Sequence, residues 1–215
     1  LGDLLGFDAA TGLVSFDRSA FNWLPAGKSV VYTIEFSAQS GNDVAQDQSI
    51  TVTITGQNDA PVMTVGTHQS LDTINEHEVD NQGQTVGSFI GPVSDADKGA
   101  LTGIAISGLD NGNGHWEYST DGGACWYCIG PVCEEAALLL RSSDLIRFVP
   151  NDESGTTASI TYHAWDQTTG CAGDTVCVSD NGGTTAFSSA IDTATIIVTP
   201  VNDAPEADDD CASGT

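Results

Sequence analysis

Residues 51–61 read TVTITGQNDAP and residues 195–205 read TIIVTPVNDAP. Each opens with a β-branched run (51–55 and 195–199) and closes on Asn-Asp-Ala-Pro. β-Branched side chains suit a pleated, half-buried surface, so each run predicts a strand. The proline ends it, having no N–H for the ladder. The Asn-Asp pair favours a turn and offers side-chain oxygens. The two copies lie 144 residues apart, from Asn58 to Asn202. That is beyond the ~20–50-residue period of a solenoid, so the motif punctuates domains. It divides the chain into residues 1–60, residues 61–204 and an acidic tail at 205–215.

Outward from these strands the chain reads as β. Residues 4–7, 13–16, 30–36 and 50–55 predict about four strands in the first segment. An immunoglobulin-type sandwich needs about 7 strands in about 100 residues. Residues 1–60 therefore read as the C-terminal part of a sandwich completed elsewhere. In the second segment, strands are predicted at 85–89, 102–107, 116–119, 145–149, 158–165 and 194–198. Residues 134–141, EEAALLLR, combine strong helix formers with acids at the start and predict one short helical turn. The expected fold class is all-β: sandwich modules in tandem, the first incomplete, the second enlarged by loop insertions with a short helix. The second segment exceeds a minimal sandwich by about 40 residues. The surplus lies in 108–143 and 168–189, and extra loops on a rigid scaffold are where function concentrates.

Composition narrows the partners. Of 215 residues, five are Lys or Arg and 30 are Asp or Glu, a formal charge of −25. Five scattered cations cannot neutralise a run of phosphates, which argues against nucleic acid and against an anionic membrane surface. No apolar run approaches the ~18 residues of a membrane span. The N-terminus lacks the pattern of a signal peptide, so residue 1 reads as a fragment boundary. Asp supplies 22 of the acids and Glu only 8. Short carboxylates in Gly- and Asn-containing turns suit Ca²⁺, which takes about 6–8 oxygen ligands. Surface acidity serving solubility alone is the plainer reading.

The six cysteines, at 125, 128, 133, 171, 177 and 211, all fall in the second half. Their even number in an extracellular-looking β protein predicts disulfides, with at least one bridge within or between the two insertions. The loop CAGDTVC, 171–177, offers one closure. Cys125-x2-Cys128 also has the spacing that opens a zinc site, but no second such pair follows.

Several stretches together resemble the VCBS and cadherin-like repeats of giant bacterial surface proteins of the RTX adhesin type. These are TVTITGQNDAPV (51–62), VSDADKGALTGIAISG (93–108), WEYSTDGGACW (116–126), LLLRSSDLIRFVPNDESG (138–155), AWDQTTG (164–170) and NGGTTAFSSAIDTATIIVTPVNDAP (181–205). The resemblance covers most of 61–205 and, in the first segment, mainly its last dozen residues. It implies cadherin-like sandwiches and a secreted protein at the bacterial cell surface, active in cell adhesion and biofilm. Related adhesins carry modules of this size in their ligand-binding tip region, one class of which binds peptides with the help of calcium. The expected function is thus a calcium-dependent adhesin region. Its second domain would bind a peptide or glycan on a host or neighbouring cell, and adjacent domains of the same adhesin would be further partners. The alternative is a calcium-rigidified spacer with no ligand of its own.

Two residues apart in extended chain, Asp95 and Asp97 point to one side. Asp166 ends a predicted strand, and Asn58 and Asp59 lie in the linker. Loops gathered at one end of a sandwich would converge these oxygens. The resemblance implies that Asp95, Asp97 and Asp166 are the calcium ligands given by the later domain. It implies that Glu76, with Asn202 and Asp203, serves the opposite end. The matching place in the first segment, FSAQSGND (36–43), has Gln39 where a related repeat often has Asp, with Asp43 as substitute. Each aspartate alone also reads as a turn cap.

Ser119-x-Asp121-x-Gly123-x-x-Trp126 fits the Asp-box of sialidase propellers, but one copy makes a hairpin turn, not a propeller. Trp116, Tyr118, Trp126, Tyr127 and Trp165 would either line a groove or fill the core. Asp110, Asp121, Asp174 and Asp180 are the loop acids that would hold a calcium for an anionic ligand such as a peptide carboxylate. Enzyme signals are weak: there is no G-x-S-x-G, no P-loop and no complete HExxH. A non-enzymatic role is expected.

Overall fold

The computed structural model describes residues 5–8, 10–40, 43–66 and 70–203. The 205–215 tail with Cys211, and the side chains of Gln39 and Asp43, lie outside the described residues. The fold is all-β, built of several sheets. Its described helical elements are 3-10 turns at Arg18–Phe21 and Val86–Ser88.

In the first segment β1 (Leu5–Asp8) pairs with β2 (Leu13–Phe16). The longer β3 (Ser29–Ser40) pairs antiparallel with β4 (Asp43–Thr55), from Ser29 opposite Thr55 onward. Val30, Tyr32, Ile34 and Phe36 alternate with exposed neighbours, as a period-2 pattern requires, but their face is only half-buried. Phe21 packs edge-on against both Tyr32 and Phe16.

The second segment opens with β5 (Val62–Met63), which pairs with β8 (Val93–Ser94). Between them run β6 (Ile74–Asn75) and β7 (Gln84–Thr85). There follow β9 (Gly103–Asp110), β10 (Gly114–Ser119), β11 (Tyr127–Cys128), β12 (Ala137–Arg141), β13 (Leu145–Pro150), β14 (Thr156–Trp165), β15 (Thr175–Val176) and β16 (Phe187–Thr199). One sheet has the order β11-β10-β13-β7 and the other β15-β12-β9-β14-β16-β6. All these pairs are antiparallel except β16 with β6. The two sheets share one core, with Trp116, Ile146 and Phe148 from the smaller and Ile104, Ile106, Leu138, Leu140, Ile160, Tyr162 and Ile196 from the larger.

The opposite face of the larger sheet is also covered. Ala105, Ala137, Leu139 and Trp165 point away from the main core and pack with Val178, Ala186 and Phe187. The 168–189 insertion thus supplies the cover for that face.

This second core overturns the helical turn expected at 134–141. Residues 137–141 are a strand between β9 and β15. Leu138 and Leu140 face the main core while Ala137 and Leu139 face the smaller one. A helix cannot bury alternate residues on opposite sides, and burial outweighs the modest helix preference of Ala and Leu. The strand expected at 85–89 is also cut short. Val86 and Phe89, both fully buried, lie three residues apart, the spacing of a 3-10 turn. The Val86 and Gly87 amides donate to the Asp144 and Ser142 carbonyls and anchor that turn.

The expected disulfides are not formed among the described residues. Cys125, Cys128, Cys133, Cys171 and Cys177 carry exposed free thiols. The 171–177 loop is closed instead by Asp174, whose amide donates to the Cys171 carbonyl and whose carboxylate accepts from the Cys171 amide at 2.9 Å.

Candidate metal centre at the linker

At the end of β4 the chain turns sharply through Gly56. Its amide donates to the Lys28 carbonyl, and a Cβ there would lie 2.0 Å from the Leu24 carbonyl oxygen. Only glycine fits so close an approach. The linker then lies along one end of the second segment, where the Ala60 amide donates to the Gly183 carbonyl at 2.9 Å.

This path delivers Asn58 and Asp59 to three aspartates. Asn58 Nδ2 donates to Asp166 Oδ2 at 2.8 Å and to the Thr185 carbonyl at 2.9 Å. The Asp59 amide donates to Asp97 Oδ2 at 3.0 Å. Asp166 is held at the end of β14 by Thr168, whose amide and hydroxyl both donate to Oδ1. Asp95 and Asp97 are not in extended chain as the sequence suggests. Asp95 Oδ1 accepts the Asp97 amide at 2.8 Å and closes a turn. The turn, rather than strand alternation, brings both side chains toward the linker.

The arrangement leaves oxygens without partners. Asn58 Oδ1, Asp95 Oδ2 and Asp97 Oδ1 are inaccessible and accept no hydrogen bond. Asp97 and Asp166 are buried. Asp95, Asp97 and Asp166 make no ion pair with Lys or Arg among the described residues. Burial pushes the Asp95 carboxyl above its ordinary range, and the charges of Asp97, Asp166 and Asp59 push in the same direction. Orphaned buried acceptors each cost about 1–3 kcal/mol, so a cation is the natural complement. Asn58, Asp97 and Asp166 line a cleft of about 200 Å³ beside these oxygens. All donors are oxygens, as Ca²⁺ requires.

At the other end, Glu76 is buried; Oε1 accepts the Val201 amide at 2.6 Å and Oε2 has no partner. His77, outside the expected ligand set, joins it. His77 Nε2 lies 3.1 Å from Asp203 Oδ1, and Nδ1 lies 2.8 Å from Asp152 Oδ1. Hydrogen bonding to Asp152 holds the His77 imidazole above its ordinary value. Ligand atoms of Glu76, His77 and Asp203 all lie within 4.8 Å of one another, which no three carboxylates of the linker cluster do. Asn202 donates to the Asp203 carbonyl at 3.3 Å and does not join them through its amide nitrogen.

The residues expected to bind a peptide or glycan divide between the core and the surface. Trp116 is fully buried, with Nε1 donating to the Asp110 carbonyl, so it belongs to the core and lines no groove. Trp165 is core as well. Asp110 caps the Gly112 amide before β10, while Asp121 follows the far end of that strand. Asp121 has the hairpin role of its motif: Oδ1 accepts the Cys125 amide and the Ser119 hydroxyl, while Ser119 Oγ accepts the Gly123 amide. Those bonds, the Cys125 amide first, hold the Asp121 carboxyl below its usual range. Asp174 is engaged with Cys171, and Asp180 is exposed nearby in sequence. Trp126 is half-buried under the Arg147 guanidinium, 4.2 Å from its ring centroid. Tyr127 is exposed and packs at a tilt on Tyr118.

No known protein family, no curated protein and no solved structure was found to match this chain.

Proposed function

We propose that this chain is a calcium-rigidified, non-enzymatic segment of a secreted bacterial surface adhesin, built from tandem cadherin-like sandwich modules. In this reading residues 1–60 end one module and residues 61–204 form the next. The observation that carries it is the linker cluster. Asn58 and Asp59 meet Asp95, Asp97 and Asp166 with three inaccessible oxygens unpartnered and, among the described residues, no Lys or Arg ion pair to the three aspartates. A Ca²⁺ ion there would draw the oxygens of Asn58, Asp59, Asp95, Asp97 and Asp166 inward from their present spacing, and would tie the linker to the second segment. Glu76 and Asp203, with Asn202 beside them, would hold an ion at the opposite end. A rod of such modules projects whatever it carries, and the 168–189 insertion already has a structural task in covering the larger sheet.

Limited proteolysis tests this. With calcium, residues 56–62 should resist cleavage, and EDTA should open them. Equal cleavage rates at that linker in the two conditions would refute it.

A ligand-binding role for the second segment is favoured by one feature. Leu109, Ile129, Pro131 and Val132 line an open cleft of about 310 Å³ within the first insertion, of a size to take a short peptide or a sugar. Binding on a peptide and glycan array with calcium present, lost on Ile129→Asp, would support that role. An array blank with calcium would leave the spacer.

A further inference from the structure

The outward face of the smaller sheet carries a mixed set of donors far from either acidic cluster in sequence. β10 and β11 pair Glu117 directly with Cys128, and His115 lies two residues before Glu117 on the same side of β10. Trp116, between them, points the other way into the core. His115 Nε2 lies 3.3 Å from Glu117 Oε1, and the Cys128 thiol donates to the same oxygen at 3.6 Å. The three ligand atoms all lie within 4.8 Å of one another. His115 and Cys128 are exposed, so an ion can reach them.

Glu117 is held for this geometry. Arg147, opposite it on β13, donates from Nε to Oε2 at 2.8 Å, and its Nη2 forms an ion pair with the same oxygen at 2.8 Å. The guanidinium is itself fixed over Trp126 and donates to the Asn81 carbonyl. Oε2 is thereby occupied and Oε1 is turned to His115 and Cys128. Burial alone would raise the Glu117 carboxyl, but the bonds from Arg147 and His115 hold it below its usual range. Arg147 thus fixes the orientation of the carboxylate, as outer hydrogen bonds commonly do for metal ligands.

Two of the three edges match a tetrahedral ion. Zinc bonds run about 2.0 Å to imidazole nitrogen, about 2.0 Å to carboxylate oxygen and about 2.3 Å to sulfur. At a tetrahedral angle these give a nitrogen–oxygen edge of about 3.3 Å and a sulfur–oxygen edge of about 3.5 Å. The observed separations are 3.3 and 3.6 Å. A set of imidazole, thiolate and one carboxylate selects zinc-class ions over calcium, which needs more ligands and all oxygen. We propose that His115 Nε2, Glu117 Oε1 and Cys128 Sγ bind one zinc-class divalent ion on the outer face of the smaller sheet. The fourth position is open to water or to a donor atom from a partner. Binding displaces the thiol proton from its hydrogen bond to Glu117 and releases it to solvent, leaving sulfur as the thiolate ligand.

Cobalt is the probe, because a thiolate–cobalt bond absorbs by charge transfer and zinc displaces it. Titration of the reduced full chain should give that band at one ion per chain, insensitive to excess calcium. His115→Ala and Cys128→Ser should each weaken binding at least about tenfold. Cys125→Ser and Cys133→Ser, which remove other exposed thiols, should leave it unchanged. Both ligand variants change exposed side chains, and unchanged melting curves without metal would show that they fold. No band up to millimolar cobalt, a band that persists in Cys128→Ser, or an undiminished cobalt affinity in His115→Ala would overturn the proposal.

Discussion

Asp95→Asn inverts a balance of charges at the linker and should give a stability change whose sign depends on calcium. Without an ion, Asp95 Oδ2 is an inaccessible acceptor with no partner, and Asp97, Asp166 and Asp59 add like charge around it. Asparagine keeps the Oδ1 that accepts the Asp97 amide and places an N–H₂ where Oδ2 was. It removes one repelling charge and supplies a donor to the carboxylates. An unsatisfied buried acceptor costs about 1–3 kcal/mol, and Asp95 is only partly buried, so the gain in EDTA should be about 1 kcal/mol. With calcium the wild-type chain gains RT ln(1 + [Ca²⁺]/Kd), about 2.7 kcal/mol at a hundredfold excess. At about 2–4 °C per kcal/mol for a unit of this size, that is a rise of about 5–10 °C in Tm. The variant, one carboxylate short, should lose most of that rise. Scanning calorimetry of both proteins in EDTA and in calcium gives four melting temperatures. The wild type should be higher in calcium and the variant higher in EDTA. A variant less stable than wild type in both conditions by the same amount would refute the reasoning, since it would make Asp95 a turn cap only.

Leu139→Ala should cost about 2–5 kcal/mol in chemical denaturation and speed amide exchange across 168–189, because Leu139 is fully buried in the core beneath that insertion. An insertion as protected as before would mean it does not depend on that core. Asp144→Ala should cost about 2–4 kcal/mol, since buried Asp144 accepts the Arg141 amide at 2.7 Å and pairs with its guanidinium, also at 2.7 Å. Urea midpoints would check it, and a loss below 1 kcal/mol would show the pair to be replaceable. Trp116→Ala should cost about 3–5 kcal/mol and act on stability rather than on a ligand. Alkylation without reductant, read by intact mass, should modify at least five thiols. Fewer modifications would return the bridges that the sequence suggests.

The sequence by itself determined features that depend on neighbours along the chain. The β-branched runs at 51–55 and 195–199 lie within β4 and β16 because such side chains fit a pleated strand wherever it pairs. The Ser119–Trp126 turn forms as its motif requires, because Asp121, Ser119 and Gly123 satisfy one another within a few residues. Asn58, Asp59, Asp95, Asp97 and Asp166 were nameable in advance, though their meeting depends on a turn at Asp95 that alternation did not suggest. Tertiary structure alone decided the rest. Residues 134–141 have a helix former's composition, but a sheet buried on both faces took Ala137–Arg141 as a strand. Trp116 suits a groove or a core by sequence, and the closing of the two sheets over it makes it core. His115, Glu117 and Cys128 carry no spacing that announces them, because cross-strand register, which no local pattern encodes, is what sets Cys128 beside Glu117. Local hydrogen bonds and side-chain shape are written residue by residue, whereas burial and register arise only when distant strands pair.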